Sequence, residues 1–258
     1  MATFLFDSIV FGPVKSRRLG ASLGINLLPT SGKICSFDCI YCECGLNDQR
    51  IPQKRGLPGA DEIDVELRAK LKELSDTNQP PDVITFAGNG EPTLHPNFLQ
   101  IIKNTIASRD EFCPEAKVSV LSNSTRIWNE NVIEALNLVD MNILKLDSII
   151  EETVKLVNNP NGNFKIEECI QQLKVFNGRL IIQTLFCRGE VNGNHFDNTT
   201  NIEVDAWIEA LKEIHPQYVM IYSISRDTPV NSIEKISREE LTAIAERLKE
   251  NNIAFEIS

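Results

Sequence analysis

The sequence predicts a single-domain α/β protein, built as a partial (β/α)6 TIM-type barrel around a parallel sheet. The chain has 258 residues, of which 42% are hydrophobic, and this suits one domain with a sizeable core. Six short runs, most of them continuously apolar, alternate with amphipathic stretches, as in repeated βαβ units. Successive runs begin 25 to 60 residues apart, and the total is too short for eight such units, so we expect an open barrel.

The predicted strands are residues 23–28, 83–87, 117–121, 142–147, 180–186 and 218–224, with a terminal strand at 254–257. The predicted helices are residues 64–74, 98–107, 131–138, 167–176, 204–214 and 238–249. Ser237 and Glu240 have the spacing of a capping box for the last helix. No linker rich in Pro, Gly or Ser interrupts the pattern, so we expect one domain over 1–258. Residues 1–30 form an N-terminal extension with the first strand, and 31–50 form a cysteine loop.

Charge and composition limit the partners. The formal net charge is −10, although residues 1–60 carry seven Lys or Arg against four Asp or Glu. Because phosphate contacts supply most non-specific affinity for nucleic acid, an acidic chain disfavours such a partner. We find neither an export signal nor the roughly 20 consecutive apolar residues of a membrane span. Seven cysteines without an export signal favour a reducing, cytoplasmic compartment.

Four cysteines lie within ten residues: Cys35, Cys39, Cys42 and Cys44. Three thiolates on one short loop can hold one side of an iron–sulfur cluster and leave one iron open. A zinc loop with Cys44 as the fourth ligand is the alternative, although no distant cysteine or histidine pair completes it. The isolated Cys113, Cys169 and Cys187 are expected in the core.

The cysteine spacing CxxxCxΦC, with Tyr41 as the aromatic residue, resembles the signature of the radical S-adenosylmethionine (radical SAM) superfamily. FGPVKSRRLGASLGIN and FAGNGEPTLHP are similar to the subgroup related to wyosine-base synthases. The resemblance implies that 1–258 is a radical SAM core and that residues 31–50 bind a 4Fe–4S cluster through Cys35, Cys39 and Cys42. The open iron would chelate S-adenosylmethionine, whose reductive cleavage yields a 5′-deoxyadenosyl radical.

Cofactor contacts are expected where strands end, because loops there carry the chemistry of such folds. Gly88, Asn89, Gly90 and Glu91 resemble the family's GGE motif, which accepts hydrogen bonds from the methionine ammonium group of the cofactor. The resemblance also places Tyr41 against the adenine, and Ser122 and Asn123 near the ribose or carboxylate. An ordinary βα turn and helix caps are the alternatives for these loops.

Lys145 and Asp147 lie on one face of a predicted strand because side chains alternate along it. They are predicted to bind the cofactor carboxylate and a ribose hydroxyl, or else to neutralise each other as a buried pair. Lys15, Arg17 and Arg18 form a basic group that suits a substrate anion or surface ion pairs. Arg226 contacts substrate or pairs with a surface acid.

These expectations together describe a radical SAM enzyme that takes electrons from a reduced flavodoxin- or ferredoxin-type donor. Its substrate is a small molecule or a peptide. Related wyosine synthases carry a second cluster, and no cysteine precedes Cys35, so a pyruvate-dependent tRNA reaction is not expected. One alternative is a glycyl-radical-activating or peptide-modifying enzyme. An alternative of another class is a non-catalytic zinc-binding protein.

Overall fold

The computed structural model describes residues 4–16, 18–47 and 56–258. The strands are β1 (Val10–Ser16), β2 (Gly20–Ile25), β3 (Val83–Phe86), β4 (Lys117–Ser122), β5 (Met141–Lys145), β6 (Ile181–Val191), β7 (Asn194–Asp197), β8 (Tyr218–Ser223), β9 (Ile233–Lys235) and β10 (Phe255–Ile257). The helices are α1 (Ala60–Asp76), α2 (Phe98–Phe112), α3 (Glu130–Leu138), α4 (Glu151–Val157), α5 (Ile166–Leu173), α6 (Asn201–Ile214) and α7 (Arg238–Glu250).

The main sheet has the order β1-β2-β3-β4-β5-β6-β8-β10. Every neighbouring pair from β2 to β10 is parallel, whereas β1 pairs antiparallel with β2 at one edge. Six parallel strands, β2 to β6 and β8, form the partial barrel, and β10 extends it. The predicted fold class is therefore confirmed.

Three strands and one helix were not predicted. β1 leaves most of its residues exposed and includes Gly12 and Pro13, so it has neither an apolar run nor a regular alternation. β7 and β9 pair antiparallel with the outer part of β6, which extends beyond the barrel to Val191. α4 has only seven residues, and a pattern that short is a weak helical signal.

The core lies between the sheet and the helices that cover it. β3 is buried at all four positions, which explains why its sequence is apolar without alternation. Helices bury one face each: α1 buries Ile63, Leu67, Leu71 and Leu74 at helical spacing. Ser237 and Glu240 form the predicted capping box of α7. Over the described ranges, no helix is both long and apolar enough to cross a membrane.

One buried acid contributes to this packing without belonging to the site described below. Glu203 of α6 accepts hydrogen bonds from Ser148 (2.6 Å) and from the Thr153 hydroxyl. Burial raises the pKa of its carboxyl group above the usual value, while the two hydroxyls oppose that change. Glu203 therefore joins α6 to the segment after β5.

Candidate active site

A cavity of about 280 Å³ opens where the parallel strands end. We call it the cofactor cavity; it is lined by Arg18, Lys33, Cys35, Phe37, Cys39, Tyr41, Cys42, Glu43, Gly88, Gly90, Glu91, Leu121, Ser122, Asn123, Lys145, Gln183, Leu185, Tyr222, Ser223, Ile224, Ser225 and Arg226. The structure thus brings together the three cysteines and most of the predicted cofactor residues. This end of the strands is where parallel α/β folds place their chemistry.

The cysteine loop is joined to the loop after β3 by backbone hydrogen bonds. Ile34 donates to the Asn89 carbonyl (2.9 Å), and Glu91 donates to the Ile34 carbonyl (3.1 Å). Gly90 makes this approach possible, because its φ is +137° and a Cβ atom there would lie 1.8 Å from the Ile34 oxygen. The GNGE segment therefore has a glycine at the point where the two loops touch.

Two of the three cysteine sulfur atoms accept hydrogen bonds from side-chain amides. The Asn123 side chain donates to Cys35 Sγ (3.4 Å), and the Asn158 side chain donates to Cys39 Sγ (3.6 Å). Such donors stabilise sulfur that carries negative charge and tune cluster potentials. All three cysteines are free of disulfides. The residues present therefore fit a thiolate-bound iron–sulfur cluster.

The pKa values differ among these thiols before any ligand binds. Burial, reinforced by the negative charge of Glu91, raises the pKa of Cys35 to about 12. A hydrogen bond with the Cys44 thiol and the charge of Lys33 lower the pKa of Cys42 to about 6. The surroundings thus favour the thiolate at Cys42 and disfavour it at Cys35.

Cys44, the fourth cysteine of the loop, contacts the loop after β3. Its thiol donates to the Gly88 carbonyl (3.3 Å) and does not line the cofactor cavity. Among residues 4–16, 18–47 and 56–258, no three Cys, His, Asp or Glu side chains are grouped so that one metal ion could be held. Metal analysis of the protein distinguishes the four-cysteine zinc alternative from a cluster. A cluster differs because each thiolate binds its own iron.

Lys33 lies under the cysteine loop, where sequence reasoning did not place a functional residue. Its side chain is 2% exposed, and Nζ donates to Asp38 (3.0 Å) and the Gly45 carbonyl (3.0 Å). Burial alone would lower the pKa of Lys33, but the nearby Cys42 and Cys35 and the Asp38 carboxylate raise it. A positive charge is thus kept beneath the thiols.

Glu91 is 2% exposed and accepts four hydrogen bonds. Oε1 accepts from the Thr93 backbone (3.1 Å), the Thr93 hydroxyl (2.5 Å) and the Ser122 hydroxyl (2.9 Å), and Oε2 accepts from the Asn123 backbone (2.7 Å). Burial raises the pKa of its carboxyl group, and these donors oppose that rise. Glu91 therefore fixes the ends of β3 and β4 relative to each other while it lines the cavity.

Asp147 is the centre of a buried network. Its carboxylate accepts from the Tyr41 hydroxyl, the Asn158 side chain (2.7 Å) and the Leu185 backbone (2.9 Å), and pairs with Lys145 (3.4 Å). The Asp147 side chain has no exposed surface and does not line the cofactor cavity. The structure thus places Lys145 and Asp147 in a buried pair, which is one of the two arrangements that the sequence left open.

Lys145 and Tyr41 depend on that carboxylate. Lys145 Nζ donates to the Tyr41 hydroxyl (2.7 Å) and lies 5.0 Å from the centre of its ring. Burial would lower the pKa of Lys145, but the charge of Asp147 raises it above its usual range. Burial also raises the pKa of Tyr41 well above its usual value. Lys145 therefore stays a cation, and Tyr41 stays protonated at neutral pH.

Asn89 is also placed differently from the expectation. It is completely buried, and its side chain accepts from the Phe6 backbone (2.9 Å) and donates to the carbonyls of Phe6 (2.8 Å) and Pro29 (3.0 Å). These bonds hold the N-terminal segment, and Asn89 does not line the cofactor cavity. A polar residue between two glycines gave no sign of which side it would face.

Of the predicted substrate residues, Arg18 lies inside the barrel and Arg226 lies at the surface. Arg18 extends inside the barrel, where its guanidinium donates to Gln183 (3.1 Å) and lies 4.5 Å from the centre of the Tyr222 ring. Arg226 is 67% exposed and pairs with Glu43 of the cysteine loop (2.5 Å). Both line the cofactor cavity, whereas Arg17 lies outside the described residues.

Asn158 is the main residue of the site that the sequence did not indicate. It follows α4, and besides Cys39 and Asp147 it contacts the Asp38 backbone, which donates to its carbonyl (3.0 Å). The signal was weak because Asn158 stands in NNPNGN, which reads as an ordinary turn. The Asn158 side chain reaches Cys39 because this turn packs against the cysteine loop.

Comparison with known families is consistent with this geometry. The family model described as Radical SAM superfamily matches residues 30–179, more than half of the chain. A UPF0026 protein of Helicobacter pylori is 33% identical over 236 residues, covering 90% of this chain and 71% of that protein. The chain therefore belongs to the Radical SAM superfamily and, by the second similarity, to the UPF0026 family. The superfamily's cofactors are a 4Fe–4S cluster and S-adenosylmethionine.

Another relative, named GTPase Obg, from Brachyspira hyodysenteriae, is 30% identical over 252 residues. The match covers 96% of this chain but only 34% of that protein, so the present chain spans about a third of the length of that relative. No GxxxxGK[S/T] phosphate loop occurs in the present sequence.

Solved structures share the fold at low sequence identity. A radical SAM methyltransferase from Sphaerobacter thermophilus aligns with a TM-score of 0.67 at 14% identity, covering 92% of this chain and 65% of that one. SuiB of Streptococcus suis bound to S-adenosylmethionine aligns with a TM-score of 0.64 at 13% identity, covering 91% and 49%. TYW1 with a lysine-pyruvate adduct aligns with a TM-score of 0.59 at 16% identity, covering 89% and 73%.

Proposed function

We propose that this chain is a radical SAM enzyme whose cluster is bound by Cys35, Cys39 and Cys42. In this proposal Gly88, Gly90 and Glu91 receive the amino acid end of S-adenosylmethionine. Ser122, Asn123, Lys145 and Tyr41 surround the rest of it. Asn89 and Asp147 position these residues without contacting the cofactor.

One observation carries the proposal: three cysteines and the buried Glu91 line the same cavity at the ends of the strands. Held by Cys35, Cys39 and Cys42, a 4Fe–4S cluster would supply the electron for reductive cleavage of S-adenosylmethionine, and the radical chemistry that this provides would remove a hydrogen atom from the substrate. The chain holds the reactants in a fixed geometry. Glu91 accepts hydrogen bonds from an ammonium group, and Lys145 offers a positive charge to a carboxylate.

We propose a small-molecule or peptide substrate and a reduced flavodoxin- or ferredoxin-type donor. The relation to wyosine-base synthases is proposed only as a family relation, because TYW1 shares the fold at 16% identity. The net charge of −10 speaks against a nucleic acid partner, since no broad basic surface is expected. Peptide modification finds a parallel in SuiB, which has been solved with its precursor peptide SuiA, again at low identity.

The test is anaerobic reconstitution followed by metal and sulfide analysis, electron paramagnetic resonance and quantification of 5′-deoxyadenosine. We expect four iron and four sulfide per chain, and cleavage of S-adenosylmethionine after reduction with dithionite. Stoichiometric zinc without sulfide would refute the radical enzyme and leave the zinc-binding alternative.

Glu91→Gln refines the assignment. It keeps the shape of the side chain but removes the charge and one acceptor oxygen. We expect the iron content to persist while the affinity for S-adenosylmethionine falls about tenfold. An unchanged affinity in calorimetry, at full iron content, would contradict the role of Glu91.

A further inference from the structure

We propose that a second cavity, adjacent to the cofactor cavity, binds the substrate, and that the substrate is a small organic anion with a flat apolar or aromatic group. This inference rests on the proposed function, and it adds a substrate class to it. The second cavity, here called the side cavity, measures about 660 Å³. Its lining includes the aromatic residues Phe4, Phe6 and Phe11 and the basic residues Lys15, Arg18 and Arg226.

The side cavity shares a wall with the cofactor cavity. Arg18, Glu43, Leu121 and Arg226 line both of them. Glu43 follows Cys42, the last of the three proposed ligands, and its ion pair with Arg226 connects the cysteine loop to the segment after β8. A molecule in the side cavity therefore lies next to the place where the radical is generated, as hydrogen transfer between the two requires.

One side of this cavity is aromatic. The rings of Phe6 and Phe11 stack with centroids 3.7 Å apart, and Phe4 meets Phe6 edge-on at 5.0 Å. Gly24 of β2 leaves room for the Phe11 ring, because a Cβ atom at that position would lie 2.1 Å from it. These flat surfaces suit a flat apolar group, since aromatic rings favour offset stacking and edge contacts.

The charges of the cavity favour an anion. Among the described residues, neither Lys15 nor Arg18 forms an ion pair with a carboxylate: Arg18 contacts Gln183 and Tyr222. Glu43 is the one carboxylate in the described lining, and it is paired with Arg226. Two cations without acidic partners stand out in a chain of net charge −10. Carboxylate and phosphate groups are the ligands that such side chains recognise.

The size of the cavity indicates a small molecule. A volume of about 660 Å³ falls within the 300–1,000 Å³ typical of sites for drug-sized ligands. It accommodates a ring system with one anionic substituent and some further atoms. This favours a small-molecule substrate over a peptide.

The experiment compares three probes that share one ring system: 1-naphthyl phosphate, 1-naphthoate and the uncharged 1-naphthamide. Binding to the cluster-loaded protein is measured by calorimetry in saturating S-adenosylmethionine. We expect at least one anionic probe to bind about tenfold more tightly than naphthamide. Preference for the phosphate over the carboxylate, or the reverse, identifies which anion the substrate carries.

Variants locate the site. Lys15→Met and Arg18→Met are each expected to lower the affinity for the anionic probe about tenfold. The affinity for naphthamide should stay within about twofold of the wild-type value. Lys235→Met is the matched control, because Lys235 is an exposed lysine that lines neither cavity. Phe11→Leu should weaken all three probes by a similar factor, since it removes the aromatic surface rather than a charge.

Equal affinity for the charged and uncharged probes, or no effect of Lys15→Met and Arg18→Met, would overturn the proposal. Displacement of S-adenosylmethionine by the probe would overturn it as well, because the probe would then occupy the cofactor cavity. Dithionite-driven cleavage of S-adenosylmethionine is measured in parallel. Cleavage without anion selectivity refutes the substrate class alone, and selectivity without cleavage refutes the proposed enzyme.

Discussion

Replacing Asp147 by Asn tests whether the buried network around it stabilises the barrel. In the structure one carboxylate serves the Lys145 ammonium, the Tyr41 hydroxyl, the Asn158 amide and the Leu185 backbone. Asn keeps the shape, and its oxygen can still accept from the Leu185 backbone. Its amide group, however, faces three donors and leaves Lys145 buried without a counter-charge.

Breaking a buried ion pair by removing one partner costs about 3–5 kcal/mol. For a chain of this size the unfolding temperature is expected to fall by roughly 6–20 °C. The assay is equilibrium unfolding in urea of the cluster-free protein, followed by circular dichroism, with the wild type measured alongside. It reports the free energy of unfolding without any contribution from the cofactors.

The double variant Asp147→Asn/Lys145→Met separates charge from shape. Because Met removes the unpaired ammonium, the double variant is expected to recover a large part of the lost free energy of unfolding. A single variant within about 1 kcal/mol of the wild type would refute the reasoning. So would a double variant that is as unstable as the sum of the two single changes.

Three further predictions concern the cluster loop and the core. Cys39→Ser should abolish iron and sulfide incorporation, whereas Cys169→Ser, in the core, should retain both; equal metal content in the two variants would contradict the ligand assignment. Gly90→Ala should cost more than about 1 kcal/mol in urea unfolding, because the new Cβ atom meets the facing carbonyl group, while Gly56→Ala, which has open space, should stay near the wild type. Glu203→Gln should be more stable than the wild type at pH 8. In the wild type, the pKa of the Glu203 carboxyl group is raised in the folded state. This contributes stability below the unfolded-state pKa of about 4.3, and the contribution is lost as the pH rises through the folded-state pKa. The stability advantage of Glu203→Gln over the wild type should therefore shrink on acidification.

The sequence predicted the strands and helices of the barrel because burial of an element produces a local pattern of apolar residues. β3, with four buried apolar residues, and α7, with its capping box, are of this kind. β1 was missed because an exposed edge strand needs no apolar run, and its place depends on pairing with β2. The bounds also moved: β6 continues to Val191, where the antiparallel partners β7 and β9 support it.

The candidate site was predictable where a particular residue type at a particular spacing indicates a particular ligand. Cys35, Cys39 and Cys42 are such a case, and the structure places all three on one cavity. The direction of a single side chain was not predictable in the same way. Asn89 holds the N-terminal segment and Asp147 a buried network, because a neighbouring segment supplies donors on one side of each residue only.

The amino-acid sequence alone determined the class of fold, the cysteine loop and the acidic balance of the chain. These properties follow from local periodicity, spacing and composition, which need no knowledge of distant contacts. Tertiary structure decided which polar groups reach the cofactor cavity, that Lys33 and Asn158 lie beside the thiols, and that a cationic and aromatic cavity adjoins them. Such contacts join residues far apart in the chain, and hydrogen-bond partners and burial exist only once the strands have assembled.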